Sequence, residues 1–315
     1  MFRMLRRLLS TARSTNAANQ TTEGRVDLEK VFTQESVQDL LRSLTGCEPT
    51  KIFRRREIKK LENPKYMLMT EEDIEKMEEQ VKFRCQQRLR MPPFKYPRSN
   101  DAITLCVDKE ISGFDNTKFV FTDIDPEVES RDRTVVVRET DGTLRTGTAD
   151  ERDRMNRVYF PKTGQQVHTP DVFEEPYCTN ALNSKKYEFM LDFACAQFEP
   201  DDAKFIEVCN KIFDHVNKEQ DWEHLYSTRY YGNMVFRFVA EKSHEALLCK
   251  YITASDILSA ANLIRLYYTC NLGYEIDSKS GGNELSLVTD YVKLHSLDKS
   301  SCARALDFYL YARKS

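Results

Sequence analysis

The feature that most constrains this chain is a change in the spacing of its apolar residues near residue 148. Residues 118–124 (KFVFTDI) and 133–139 (RTVVVRE) have the β-branched, aromatic and alternating character of strands. Asp141-Gly142 between the second of these and residues 143–146 is a hairpin signal, because glycine adopts the positive φ that a tight turn needs. After Thr148 the period lengthens to that of a helix. Thr148 with Glu151 forms a capping box in which hydroxyl and carboxylate satisfy free backbone N–H groups reciprocally, opening a helix toward Met155, Val158 and Tyr159. Further on, Phe205, Cys209, Ile212 and Val216 recur at helical spacing, as do Ile257, Ala261, Ile264 and Tyr268. The expected fold is α+β and predominantly α-helical, with a small antiparallel β element in the N-terminal half and an all-helical C-terminal region.

Two helices are expected ahead of the strands. Val37, Leu40, Leu41 and Leu44 form an apolar stripe that ends at Gly46, a residue suited to a left-handed C-terminal cap. Thr70 followed by Glu71, Glu72 and Asp73 reads as an N-cap with acids at the positive helix end, and Ile74, Met77, Val81, Cys85 and Leu89 continue the stripe to Pro92-Pro93. Met91-Pro92-Pro93-Phe94 reads as a stiff, extended exit able to lie along a neighbour's groove. In the second half, five to seven helices are expected between 184 and 315, broken near Pro200, Gly232, Gly273 and Gly281-Gly282, with no fixed-period repeat. These readings divide the chain into 1–22, 23–98 (a basic helical segment), 99–165 (a small β-hairpin-containing domain), 166–183 (a linker) and 184–315 (a helical domain).

Residues 1–22 carry Arg3, Arg6, Arg7 and Arg13 and no acid, and Met1, Met4, Leu5 and Leu8 fall opposite the arginines on a helix. That pattern, with Ser, Thr and Asn following, is the pattern of a mitochondrial presequence and predicts delivery to the matrix. A retained basic arm is the competing reading. Nine cysteines without a C-x-x-C pair fit neither a disulfide framework nor a zinc ribbon, and read as core filler in a reducing compartment. No apolar run reaches the 18 to 20 residues or so that a membrane span needs, so no membrane insertion is expected.

Enzyme signatures are missing from the sequence. Glycine is scarce at 10 of 315 residues, and neither phosphate-loop pattern nor G-x-S-x-G elbow occurs. The neighbouring pairs Cys209/His215 and His244/Cys249 sit at offsets that point the side chains to different helix faces, so no metal and no cofactor are expected. The alternating charges of Asp150, Glu151, Arg152, Asp153, Arg154 and Arg157 read as a solvated, ion-paired face rather than acid/base machinery. Tyr230, Tyr231, Phe236, Tyr267 and Tyr268 read as core in preference to a docking surface.

Charge distribution points to a site instead. Residues 51–98 hold 14 bases and 8 acids, whereas residues 99–315 hold 26 bases and 36 acids. Within the basic module, Lys51, Arg54, Arg55, Arg56, Lys59, Lys60, Arg88 and Arg90 are the candidate RNA-binding residues, since cations hold phosphates and Phe53, Phe83, Phe94 and Tyr96 offer faces for stacking. A solvated face, or a contact with an acidic protein surface such as this chain's own acidic half, stays open.

Several consecutive segments resemble one family: RLRMPPF (88–94), KFVFTDI (118–124), RTVVVRETDGTLR (133–145), DERDRMNRVYFPKTG (150–164), CAQFEPD (195–201) and STRYYGNMVFRFV (227–239). In combination and order these are similar to the mitochondrion-specific small-subunit ribosomal protein family numbered twenty-two. The resemblance spans roughly residues 33–270. It implies a structural constituent of the mitochondrial small ribosomal subunit that touches mitochondrial small-subunit rRNA and neighbouring ribosomal proteins, takes no small-molecule substrate and performs no catalysis. A matrix protein-interaction or assembly scaffold outside the ribosome is the alternative.

Overall fold

The computed structural model describes residues 27–54, 63, 66–110, 116–272, 284–294 and 299–312. The expected presequence lies outside the described residues, as do Gly273, Gly281 and Gly282.

Helices α1 (Leu28–Thr33) and α2 (Glu35–Thr45) follow the expected stripe: Val37, Leu41 and Leu44 are buried. The Asp27 carboxylate accepts from the N–H groups of Glu29 and Lys30, capping α1. Gly46 terminates α2 at φ 67° and ψ 177°, its N–H donating to the Arg42 carbonyl. The φ is positive as expected, but the ψ lies outside the left-handed helical basin, in a region essentially restricted to glycine. A Cβ here would also meet the Tyr226 hydroxyl at 2.2 Å, so two independent constraints select glycine. After α3 (Pro49–Ile52) comes α4 (Glu71–Arg88), whose N-terminus is capped by the Thr70 hydroxyl accepting from the Asp73 N–H. Of the eighteen residues of α4 only Cys85 is buried. The stripe read from the sequence is present on α4, yet its N-terminal part, Ile74 and Met77, faces outward while Val81, Cys85 and Leu89 are half-buried or buried.

The chain then runs extended over the helical body. The Asn233 side chain donates to the Pro92 carbonyl at 3.0 Å, and the Phe94 ring packs edge-on against Phe236 at 5.1 Å between centroids. The stiff Pro-Pro exit therefore lies in a groove of this chain's own body.

Strands β1 (Thr104–Val107), β2 (Phe119–Thr122), β3 (Val135–Arg138) and β4 (Thr143–Thr146) form an antiparallel sheet in the order β1-β4-β3-β2. Gly142 takes φ 82° in the expected turn, and the register sets Arg138 opposite both Phe119 and Leu144. Val135 and Val137 point inward and Val136 less so, the period of two that sequence alternation implies. β1 was not expected: its four residues (TLCV) are as few as those of β4 but have no turn signal like Asp141-Gly142 beside them.

α5 (Ala149–Tyr159) opens on the expected capping box. Val158 and Tyr159 are exposed, however, and the residues that α5 buries are Ala149 and Asn156. Of its charges, Asp150 and Arg154 are exposed, whereas Glu151, Asp153 and Arg157 are ion-paired and half-buried. Arg145 of β4 grips Glu151 with two parallel bonds at 2.7 and 2.9 Å, and with Lys118 it holds the Glu151 carboxyl far below the usual range. On the other side, Arg98 inserts among Asp153, Asp202 at 3.5 Å and Asp201 at 3.7 Å, its side chain only 13% exposed. These clusters bolt α5 to the sheet and the sheet unit to the helical body. Arg133, also buried, donates to the carbonyls of Asp123, Asp125 and Val128 at 2.8–2.9 Å and stacks over Phe160. That arrangement closes the β2–β3 loop.

Residues 166–183 contain a 3₁₀ turn (Asp171–Phe173) and α6 (Tyr177–Asn183), and the Gln197 amide donates to the Gln166 carbonyl at 2.8 Å. The body continues through α7 (Tyr187–Gln197), α8 (Ala203–Glu219), α9 (Trp222–Leu225), α10 (Tyr231–Ala240), α11 (Glu245–Thr253), α12 (Ile257–Leu272), α13 (Glu284–Leu294) and α14 (Lys299–Ala312). Among the described residues the stretch 184–315 thus has eight helices rather than five to seven. The reason is that several breaks occur without glycine or proline: Lys185, Gln220, Ser227, Lys242 and Ser255 all adopt φ between 56° and 61°. Each costs an L-residue about 1 kcal/mol, which surrounding packing outweighs. The break expected near Gly232 falls at 226–230, and Gly232 itself lies in the first turn of α10, where a Cβ would meet the Met91 sulfur and, at 3.3 Å, the Thr45 hydroxyl. It is there for close approach of α2 and the 91–94 segment.

α12 lies at the centre, packed on α2, α10, α11 and α13. Ala260, Ala261, Leu263, Ile264 and Leu266 are all buried, the pattern of a helix surrounded by others. Tyr230, Tyr231 and Phe236 are core residues as expected. Among the cysteines, Cys85, Cys178, Cys270 and Cys302 are buried while Cys47 and Cys106 are exposed.

Candidate nucleic-acid interface

The basic module divides according to what each cation already touches. Lys51, on α3, donates to the Glu223 carbonyl at 2.6 Å, and burial lowers the pKa of its amine. Arg54 pairs with Glu188 at 3.0 Å while remaining 64% exposed, a surface contact of at most about 1 kcal/mol. Arg88, in the last turn of α4, donates to the Ile52 carbonyl at 3.2 Å and lies over the Phe53 ring at 4.7 Å. Lys51, Arg54 and Arg88 thus meet this chain's own body, in the manner that the competing reading of the basic stretch allowed. Arg55, Arg56, Lys59 and Lys60 lie outside the described residues.

Arg90 is placed differently. It is exposed just beyond α4 and lines a cleft between that helix's C-terminal end and α2, together with Gln38, Arg42, Gln86, Gln87 and Cys47. Among the described residues, no acid lines this cleft. Arg42 pairs with Asp39 at 2.7 Å, but both side chains are more than 60% exposed, so its guanidinium remains exchangeable. The Gln38 amide donates to the Phe32 carbonyl at 2.6 Å, which leaves two guanidinium groups beside the exposed carboxamides of Gln86 and Gln87 to donate in several directions at once, as suits phosphate oxygens and base edges. Arg42, Gln86 and Gln87 were missed in the sequence because they flank buried positions on two helices far apart in the chain. The one available signal was the polar face that each helix leaves opposite its stripe.

The aromatic partners divide as well. Phe83 is 61% exposed on α4 and free to stack. Phe94 is committed to Phe32 and Phe236, and Tyr96 packs edge-on against Phe94 at 5.8 Å. Lys95 is likewise engaged, bonding Glu29 at 2.8 Å. Among the described residues, no group of three or more His, Cys, Asp or Glu is placed to hold a metal ion, and no helix is long and apolar enough to cross a membrane.

A helical body, a small bolted-on sheet and a basic cleft make up the described residues, the class of an α+β protein whose polar clusters join structural units. Comparison with known sequences specifies which. The family model described as mitochondrial 28S ribosomal protein S22 matches residues 30–271, and the chain belongs to that family. It is 36% identical to small ribosomal subunit protein mS22 of Bos taurus over 237 residues, covering 75% of this chain and 66% of the bovine protein. It is 34% identical to the Mus musculus protein of the same name over 264 residues, 84% of this chain and 71% of the mouse protein. The chain therefore spans about two thirds of the length of the relatives it matches.

Proposed function

We propose that the protein is a structural constituent of the mitochondrial small ribosomal subunit, working in the matrix as a scaffold and not as an enzyme. The family match across residues 30–271 carries this reading. The way the polar clusters are used supports it: Arg98, Arg133 and Arg145 hold structural units together. Contact with small-subunit rRNA centres on Arg90 and Arg42 in the cleft, with the exposed Arg54 and Arg88, and Arg55, Arg56, Lys59 and Lys60 of the basic run, as further candidates. Remaining contacts are with neighbouring ribosomal proteins, consistent with an acidic body that cannot coat RNA.

The test is sucrose-gradient sedimentation of tagged protein from mitochondrial lysate, following small-subunit rRNA across the fractions. Co-migration that RNase disrupts is expected, and migration only as free protein or in a complex lacking rRNA refutes the reading. Reversing Arg42 and Arg90 to Glu should weaken association and reduce its salt dependence by about two counterions, whereas Lys293→Glu should not. Equal effects from both sets would remove the cleft from the proposal.

A further inference from the structure

The outward half of α4 has properties that neither the cleft nor the core uses. Residues 71–80 contain six carboxylates, Glu71, Glu72, Asp73, Glu75, Glu78 and Glu79, against the single base Lys76, and all ten residues are exposed. The other half, 81–88, has Lys82, Arg84 and Arg88 and no acid, and is anchored to the body through buried Cys85 and the seat of Arg88 on Phe53. At a rise of about 1.5 Å per residue, the acidic half reaches some 15 Å beyond that anchorage.

This half is not simply a solvated handle. Ile74 and Met77, 48% and 46% exposed, share a face at helical spacing that continues through Val81. Glu71 and Glu78 flank that face on one side and Asp73 on the other, given about 100° per residue. Immediately upstream, Tyr66, Met67 and Leu68 are 90%, 70% and 106% exposed. A helical stretch this short is marginal in water, and the like-charge pairs Glu71/Glu75 and Glu75/Glu79 at i,i+4 oppose it further. An acid-rimmed apolar stripe on a projecting helix matches one mode of recognition, a helix laid into a groove.

We propose that this face of α4 docks onto a neighbouring protein of the small subunit, one that presents an apolar groove rimmed by Lys and Arg. The proposal rests on the reading of the chain as a subunit constituent. Charge complementarity selects this occupant: six carboxylates repel RNA phosphates. A second copy of the chain, whose Lys82 and Arg84 are also exposed, is the competing occupant that the crosslink distinguishes.

The experiment places a photo-crosslinking amino acid at Met77, and separately at Leu258 on the body surface, in full-length protein incorporated into gradient-purified subunits. Irradiation at position 77 is expected to give an RNase-resistant adduct with one subunit protein, mapped by mass spectrometry to a segment where Lys or Arg borders apolar residues. Adding Glu71→Lys, Glu75→Lys and Glu78→Lys should lower the yield roughly tenfold, the loss expected when interface anchors are removed, without changing the yield from position 258. An adduct with rRNA, with the chain itself or with a second copy overturns the proposal, as does an absent adduct or one insensitive to the charge reversals. A chain that never enters the subunit fractions overturns the ribosomal reading and this proposal together; a chain present there without the expected adduct overturns this proposal alone.

Discussion

Replacing Arg98 with Met should separate the sheet unit from the helical body while leaving each unit's own core intact. Arg98 follows the extended exit segment; its backbone N–H donates to the Asp201 carbonyl at 3.0 Å, and its guanidinium serves Asp153 on α5 as well as Asp201 and Asp202 at the start of α8. Burial opposes its charge, but Asp153, Asp202 and Asp201 outweigh that and raise its pKa above the ordinary value. Burial also raises the pKa of Asp202. Methionine would keep most of the stem volume and leave three carboxylates converging, offset by Arg157, 4.0 Å from Asp202, and by the half-exposed Arg131, 3.7 Å from Asp201. Removing one partner from a buried pair costs about 3–5 kcal/mol, and at 13% exposure the lower end applies, so about 3 kcal/mol is expected. For a folded unit of this size the corresponding drop in Tm is about 6–12 °C. The sole tryptophan, Trp222, is buried in the body and reports on it by fluorescence, whereas proteolysis at the Lys162 loop reports on detachment of the sheet unit. Cleavage there should accelerate about a hundredfold if detachment is the opening step. Adding Asp153→Asn should restore part of the loss by relieving the uncompensated charge. A cost below about 1 kcal/mol, or no gain from the second change, would refute the reasoning.

Three further outcomes follow from the packing. Gly46→Ala should cost about 3 kcal/mol in urea unfolding, combining backbone strain with the Tyr226 clash, whereas Gly164→Ala, at φ 84° with no atom within 4 Å, should cost about 1 kcal/mol; similar values would show that the clash is absent. His244, buried against Tyr267 and bonded to the Tyr291 hydroxyl at 2.8 Å, has its pKa lowered by burial to about 4. An unfolded chain takes up the proton near pH 6.5, so stability falls as pH drops from there toward 4. About 2 kcal/mol should be lost between about pH 7.5 and 5, and His244→Gln should abolish that share of the slope in urea titrations. Phe94→Ala should cost about 2 kcal/mol by emptying the aromatic seat against Phe32 and Phe236, read as a lower denaturation midpoint with an unchanged m-value.

Much of the secondary structure was legible in the sequence because its determinants lie within a few residues of one another. The Thr70 and Thr148 caps, the positive φ of Gly46 and the Asp141-Gly142 turn depend on hydrogen bonds and sterics across four residues or fewer. Helix breaks were less legible: Gln220 and Ser227 adopt left-handed conformations that their residue type does not announce, because tertiary packing over-determines them. The same applies to Gly232, whose role became visible only when Met91 was seen against it.

The candidate site was half legible. The clustering of bases in 51–98 is a fact of composition. Which of them remain available depends on Glu188, Glu223 and the Ile52 carbonyl, groups 134, 172 and 36 residues distant from Arg54, Lys51 and Arg88 respectively. Nothing in a linear sequence orders such separations, and an ion pair is decided by a few ångströms.

By itself, then, the sequence determined the class of fold, the positions of caps and turns, the location of surplus positive charge and the family to which the chain belongs, since each is carried by local chemistry or by the order of motifs. Tertiary structure decided which charges act as internal bolts, which line an open cleft, and that Ile74 and Met77 at the N-terminal end of the α4 stripe face outward. Those outcomes depend on which elements meet, and it is the burial of the body core around α12 that brings distant residues to bonding distance and leaves others exposed.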